Sequence, residues 1–170
     1  MADAEQVYRA HPTSDEIAEV LAQRLVAAVG TLNSDGSIHL AYVLFLHDDG
    51  RMYFETSSVT RKARNVERRG WASMLVQGPA STGRNLMVAA EGTARVITGD
   101  EAQRVNHRLR AKYIKPTALD GIDRAWGRLD DVTVEITPKK WRSWTGSVLH
   151  EETRKELTGA YEDAWLTGEE

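Results

Sequence analysis

Cysteine is absent from the 170 residues. Disulfides, thiolate metal ligands and cysteine nucleophiles are therefore excluded together. No apolar run reaches membrane-spanning length, and the opening Met1-Ala-Asp-Ala-Glu-Gln shows no charged-then-apolar leader pattern. A cytoplasmic protein with no membrane partner is the expectation. The dinucleotide-binding glycine fingerprint, the P-loop and the nucleophile elbow are all missing. Internal repeats and low-complexity linkers are missing too. The formal net charge is only −3, which gives no reason to expect bulk binding to nucleic acid or anionic membrane. Histidines stand at positions 11, 39, 47, 107 and 150, and none has the close spacing of a metal pair. No metal site is expected.

What remains fits one domain spanning residues 1–170. Residues 1–12 read as a loose arm and 151–170 as a polar tail able to form a helix. Thr13 and Glu16 make a capping box that opens a helix, with Ile17, Val20, Leu21 and Leu25 at helical spacing. Residues 25–32 form a strand, Asn33-Ser-Asp-Gly36 a hairpin turn, and residues 38–46 the return strand. His47-Asp-Asp-Gly50 is a second turn, leading into a strand at 51–55. Beyond Gly70, strands are expected at 71–77, at 84–97 with a bulge at Gly92, and at 132–137. After Pro138 the chain re-enters the sheet through Trp141 and Trp144. Thr98 and Glu101 read as another capping box, its helix stopping at Lys115-Pro116. Residues 117–130 are expected to be irregular. About six strands with short turns and interposed helices describe a mainly β, mostly antiparallel small barrel with flanking helices.

The stretch from Met52 to Arg69 organises the rest. A short apolar strand passes through the hydroxyls of Thr56, Ser57, Ser58 and Thr60 into a helix that opens with Arg61, Lys62 and Arg64. A helix start offers free N–H groups and a positive dipole end. With hydroxyls and cations added, it makes a clamp for a phosphate. The alternative is a solvated helix face with Thr60 as its N-cap. Because the cations crowd one helix and Glu67 interrupts them, a compact anion site fits better than a nucleic-acid track.

These segments resemble the flavin-binding split-barrel family, the relatives of pyridoxamine 5'-phosphate oxidase. The resemblance runs from about Ala18 to His150 and is carried by Val26–Leu46, Tyr53–Asn65, Arg84–Ala94 and Thr137–Gly146. It implies a six-stranded antiparallel split β-barrel and a homodimer, with FMN, or a deazaflavin cofactor instead, held at the subunit interface. By the same resemblance Thr56, Arg61 and Lys62, helped by Ser57, hold the cofactor phosphate. His39, Leu40, Ala41, Tyr42 and Val43 run along or shape the ring pocket. Asn85 reaches the ring or ribityl chain, and Trp144 stands beside the flavin. No side chain is an obvious acid or base; His150 and Tyr42 are candidates for substrate contact or proton delivery.

Two departures from the oxidase pattern stand out. The helix Val105–Tyr113 lacks its Tyr/Arg/Ser set, and Val148-Leu-His-Glu-Glu152 replaces its Arg-Leu-His-x-Arg signature. A substrate phosphate would find no partner there. The stretches Lys62-Ala-Arg-Asn65 and Glu91-Gly-Thr-Ala94 are similar to a branch that includes deazaflavin-dependent reductases. The implied function is hydride transfer between the cofactor and a small planar organic substrate other than pyridoxamine phosphate. The alternative is a non-enzymatic flavin or haem binder or sensor on the same scaffold.

Overall fold

The computed structural model describes residues 12–145 and 153–157. Helix α1 (Ser14–Ala22) opens on the capping box: Glu16 N donates to Thr13 Oγ1 at 3.3 Å, and Thr13 N donates back to the Glu16 carboxylate at 2.8 Å. Then follow β1 (Val26–Leu32), β2 (Ile38–Leu44), β3 (Leu46–Asp48), β4 (Arg51–Ser57), α2 (Arg61–Arg69), β5 (Trp71–Pro79) and β6 (Asn85–Ile97). Helices α3 (Gly99–Tyr113) and α4 (Pro116–Trp126) precede the closing strand β7 (Asp131–Thr145). No helix among the described residues is long and apolar enough to cross a membrane.

All strand pairs are antiparallel, in the order β2-β1-β5-β6-β7-β4-β3. The sheet thus has seven strands, one more than the sequence suggests. The extra one arises because the expected strand 38–46 breaks at Phe45. Before the break the chain pairs with β1; after it the chain pairs with β4 at the far end of the sheet. The two edge strands are separated by one residue, so the sheet must curl until its edges meet, as a split barrel does.

Phe45 belongs to neither ladder, and its backbone is satisfied by α3. Its N–H donates to the Tyr113 hydroxyl at 3.3 Å, and that oxygen lies 2.9 Å from Phe45 O and 2.8 Å from Leu25 O. Lys112 donates to Leu21 O at 3.0 Å and sits 3.9 Å from the centroid of the buried Phe45 ring. That burial pushes the Lys112 ammonium down to about 8.

Alternation of side chains fills the barrel. Val29 from β1, Phe54 from β4, Met74 from β5, Val88 from β6 and Val134 from β7 meet in one core, and Val20 of α1 and Val66 of α2 join it. At the β6–β7 crossing, Glu91 faces Lys140 and Gly92 faces Pro138, so Lys139 is the bulged residue. A Cβ at Gly92 would run into the Thr137 carbonyl and the Pro138 backbone.

Four local expectations are corrected. Residues 116–126 are helical, because Pro116 sits at the first helical position, where its fixed φ and missing N–H favour helix initiation. His47 lies in β3, half-buried and edge-on to Trp141 at 5.8 Å, and not in a turn. Thr98 precedes α3 but makes no side-chain cap bond; Gly99, the first residue of the helix, takes φ 63°. Strand β5 runs on to Pro79, two residues beyond the expected end at Gln77. The expected arm 1–12 lies almost wholly outside the described residues, as does most of the tail 151–170.

Candidate functional site

The passage from β4 to α2 is built from hydroxyls that cap and tie it. Thr60 is the N-cap of α2; its Oγ1 accepts from Ala63 N at 3.4 Å and donates to Ser57 O at 2.9 Å. Thr56 Oγ1 lies 3.0 Å from Thr60 Oγ1. The Ser58 hydroxyl donates to the Asp130 carboxylate, fastening the turn to the start of β7. Helix α2 ends on Gly70 at φ 62°, whose N–H donates to Val66 O.

A cleft of about 320 Å3 opens beside this turn, with Tyr42, Val43, Thr56, Ser57 and Lys62 in its lining. Lys62 is half-buried, and burial pulls its ammonium below the ordinary lysine range. An anion entering the cleft would restore part of the solvation the ammonium has lost.

The lining of the cleft also carries charge of the other sign. Glu55, Asp131 and Trp126 line it, and all three are organised by Arg110, whose side chain is only 1% exposed. The guanidinium holds both Glu55 oxygens, Asp131 Oδ2 at 2.7 Å and Asp123 Oδ1 at 2.9 Å, and stands 5.2 Å from the centroid of the Trp126 ring. Burial raises the Glu55 carboxyl above the usual range even against the arginine, and neighbouring Asp131 adds to the rise. Burial also acts upward on Asp123, but hydrogen bonds from Arg110 and from His107, whose Nδ1 is 2.6 Å away, leave it below the usual range. Sequence reasoning missed this group. The available signal was Arg110 at four-residue spacing from Ala102 and Asn106, a charge on the buried stripe of α3.

Two further concavities flank the cleft. One, of about 640 Å3, lies between α2 and the β1–β2 turn and is lined by Arg61, Arg64 and Arg68. The other is an apolar groove of about 700 Å3 on the outer face of the sheet, with Gly30, Leu40, Trp71, Leu75 and Trp144 among its lining. Its floor is flat at Gly30, where Leu40 lies over the strand.

The structure brings Thr56, Ser57, Lys62, Tyr42 and Val43 together in the cleft, and Leu40 and Trp144 together in the groove. Arg61 is placed apart, in the arginine cavity, because successive helical residues point about 100° away from one another. Ala41 packs against the core, and His39 is half-buried opposite Thr31; neither lines the three concavities. Asn85 is exposed at the start of β6, its carbonyl accepting from Thr145 Oγ1 at 2.9 Å, and lines none of them either. His150 lies outside the described residues.

The family model for pyridoxamine 5'-phosphate oxidase matches residues 13–145. No curated protein matches the chain in sequence. Among solved structures, a conserved hypothetical protein, Rv2991, from Mycobacterium tuberculosis aligns with a TM-score of 0.68 at 24% identity, over 83% of this chain and 91% of that one. An F420 reductase aligns with a TM-score of 0.56 at 22% identity, over 77% and 98%. The haem storage protein HutZ from Vibrio cholerae aligns with a TM-score of 0.60 at 16% identity, over 78% and 93%. At these identities the likeness to solved structures is one of fold.

Proposed function

The chain belongs to the pyridoxamine 5'-phosphate oxidase family, and from that premise we propose that it is an oxidoreductase binding a phosphate-bearing flavin or deazaflavin between two copies of itself. The observation that carries the reading is the outer face of β2. Leu40 in the apolar groove and Tyr42 in the Lys62 cleft stand on that one face, two residues and roughly 7 Å apart. A flat ring and an anionic tail therefore have adjoining places.

The residues present fit such a cofactor. Lys62, the hydroxyls of Thr56 and Ser57 and the nearby start of α2 suit a phosphate. The carboxylates in the lining are engaged by Arg110 and do not stand as bare charges. Trp71, Trp144 and Leu40 offer the groove apolar and aromatic surface for a planar system. When bound, the cofactor supplies hydride chemistry, and the protein supplies orientation and electrostatics. Lys62 and the two hydroxyls hold the tail, while Leu40 and Trp144 exclude water from the ring. Among the described residues no histidine lines any of the three concavities, so none of these side chains offers haem an axial ligand there.

The second copy is called for by the same face. Ile38, Leu40 and Tyr42 are 69%, 69% and 79% exposed, with Trp71 and Leu75 beside them. An apolar face this continuous marks an interaction surface. A homodimer would bury it and close the groove over the ring. The substrate is a small, planar, reducible organic molecule.

Titration of the apo protein with FMN, with the deazaflavin and with riboflavin tests the reading. One phosphate-bearing cofactor should bind, and riboflavin about 50-fold or more weaker, since it lacks the group that Lys62 holds. Reduction of the bound cofactor by a nicotinamide donor, followed by turnover of an acceptor, would establish enzyme over carrier. Equal binding of riboflavin, or binding of none of the three, would refute the proposal.

A further inference from the structure

Helix α4 is held to the rest of the fold by few contacts. None of its 11 residues is buried. Among the described residues, Asp123 is its one side chain with a hydrogen bond beyond the helix. Asp123 Oδ1 accepts from Arg110 Nη1 at 2.9 Å, and Oδ2 lies 2.6 Å from His107 Nδ1. Trp126, 37% exposed, adds its ring against the Arg110 guanidinium. Leu119 and Ile122 share that face at helical spacing but are only half-buried. Arg110 and His107 both belong to α3, so the helix is fastened to one neighbour at one point along its length.

Both ends of the helix are pinned. Upstream, α3 closes with Ile114 N donating to Arg110 O at 2.8 Å, and Lys115 is extended before Pro116. Downstream, Asp130 takes φ 58° and is held twice by Ser58. Ser58 N donates to Asp130 O at 3.3 Å, and the Ser58 hydroxyl donates to the Asp130 carboxylate. Strand β7 then begins at Asp131, opposite Ser57. Residues 116–129 thus form a strap between two fixed points, and the downstream point stands beside the cleft. Trp126 lines that cleft together with Lys62.

The core keeps its charge balance without the strap. With Asp123 withdrawn, Arg110 still holds both Glu55 oxygens and Asp131 Oδ2 at 2.7 Å. Glu55 and Asp131 are each 10% exposed and Asp123 is 24% exposed, so Asp123 is the acid that regains water most readily. We propose that α4 is a flap over the Lys62 cleft, latched by Asp123 on Arg110 and His107, whose release carries Trp126 off the cleft and opens Lys62 to solvent. Such openings are drawn from the parts of a fold with the least buried contact. The flap rests on contacts within the chain and stands whatever the cleft binds.

Lys62 is itself the reporter. Acetylation of the full chain with an N-hydroxysuccinimide ester, followed by peptide mass spectrometry, reads the exposure of each amine. Asp123→Ala should speed labelling of Lys62 about tenfold or more, the loss expected for a latch of charge-assisted bonds. Exposed Lys139 and Lys140 should not change, nor should Lys112, which is half-buried against Phe45. Trp126→Ala removes the edge of the flap without touching the Asp123 bonds, and it too should speed labelling of Lys62. Adding Asp123→Ala to it should then give no more than about a twofold further rise, because the cleft is already open. In the unaltered protein, amides of residues 119–126 should exchange with deuterium about tenfold or more faster than those of 106–112. Four outcomes overturn the proposal: Lys62 labelling within about twofold of the unaltered protein in Asp123→Ala, an equal rise at Lys112, which signals general loosening, a full second rise in the double variant, or α3 and α4 exchanging as one unit.

Discussion

Replacing Arg110 with methionine removes one cation from among three carboxylates while keeping much of the side-chain volume. Glu55, Asp123 and Asp131 would remain, with Glu55 and Asp131 each only 10% exposed. Exchanging a complete buried ion pair for apolar residues can be neutral, but removing one partner costs about 3–5 kcal/mol. Here the remaining partners are acids packed close together, so the upper half of that range, about 4–5 kcal/mol, is expected. For a chain of this size each kcal/mol moves the melting temperature by about 2–4 °C, so the variant should melt about 8–20 °C lower at pH 7.

The pH dependence separates an electrostatic cause from lost packing. Without Arg110 the folded-state carboxyl of Glu55, already raised by burial, loses the guanidinium that restrains it and rises further above its unfolded value. Stability is then greatest below the unfolded value, near 4, and falls as pH rises through the raised one. In the unaltered protein Asp123 works oppositely: its lowered value contributes stability above the unfolded range and loses it on acidification. The gap between the two proteins should therefore shrink as pH falls from 7 toward 5. Urea unfolding followed by circular dichroism, at matched protein concentration, measures the gap. Adding Glu55→Gln to the variant should recover part of the loss. A loss below about 1 kcal/mol at pH 7, the level of an exposed ion pair, would refute the reasoning, as would a loss that does not change with pH.

Three further outcomes are expected. Leu40→Glu places a charge on the apolar outer face, where Leu40 is 69% exposed; it should leave the monomer folded and dissociate the proposed dimer, read by analytical ultracentrifugation. Gly92→Ala should cost roughly 2–3 kcal/mol in urea unfolding, because its Cβ meets the Thr137 carbonyl and Pro138 backbone, which cannot yield as a side-chain tip can. Asn65→Ala strands the Thr31 hydroxyl and frees Arg68 and the β1–β2 turn; the cost should be about 1–3 kcal/mol, with faster amide exchange confined to residues 31–37.

Legibility followed periodicity. Strand β5 alternates buried and less buried positions, so its role could be read directly. The Thr13–Glu16 capping box carried its own chemistry in the spacing. The break at Phe45 was hidden because Val43-Leu-Phe-Leu46 is apolar throughout, and a run without alternation carries no mark of where pairing changes partner. Helix α4 carries Leu119, Ile122 and Trp126 at helical spacing, but it buries none of its residues and Gly121 lowers its propensity, so the short stripe was outweighed by the glycines around it. The Lys62 cleft was legible as a strand-to-helix turn rich in hydroxyls. Its acidic lining was not, because Glu55 of β4, Asp123 of α4 and Asp131 at the start of β7 are brought to Arg110 by three different elements, and separation along the chain conceals that.

One consequence of the helix geometry distinguishes two residues that the sequence presents as a pair. Arg61 and Lys62 are adjacent, yet Lys62 lines the cleft beside Thr56 while Arg61 faces the other cavity, near Asp35. If the cofactor phosphate occupies the cleft, Lys62→Ala removes a charge-assisted bond worth about 1.5–3 kcal/mol, or about 10- to 100-fold in affinity. Arg61→Ala removes a charge that acts from the next cavity, through solvent, and should cost no more than about fivefold. Riboflavin binding should respond to neither. Fluorescence quenching of FMN, or absorbance of the deazaflavin, reads both constants on the same day and buffer. Equal losses at the two positions would mean that the phosphate sits over the helix start and draws Arg61 across to it. That result would merge the cleft with the edge of the arginine cavity and require the tail of the cofactor to be placed anew.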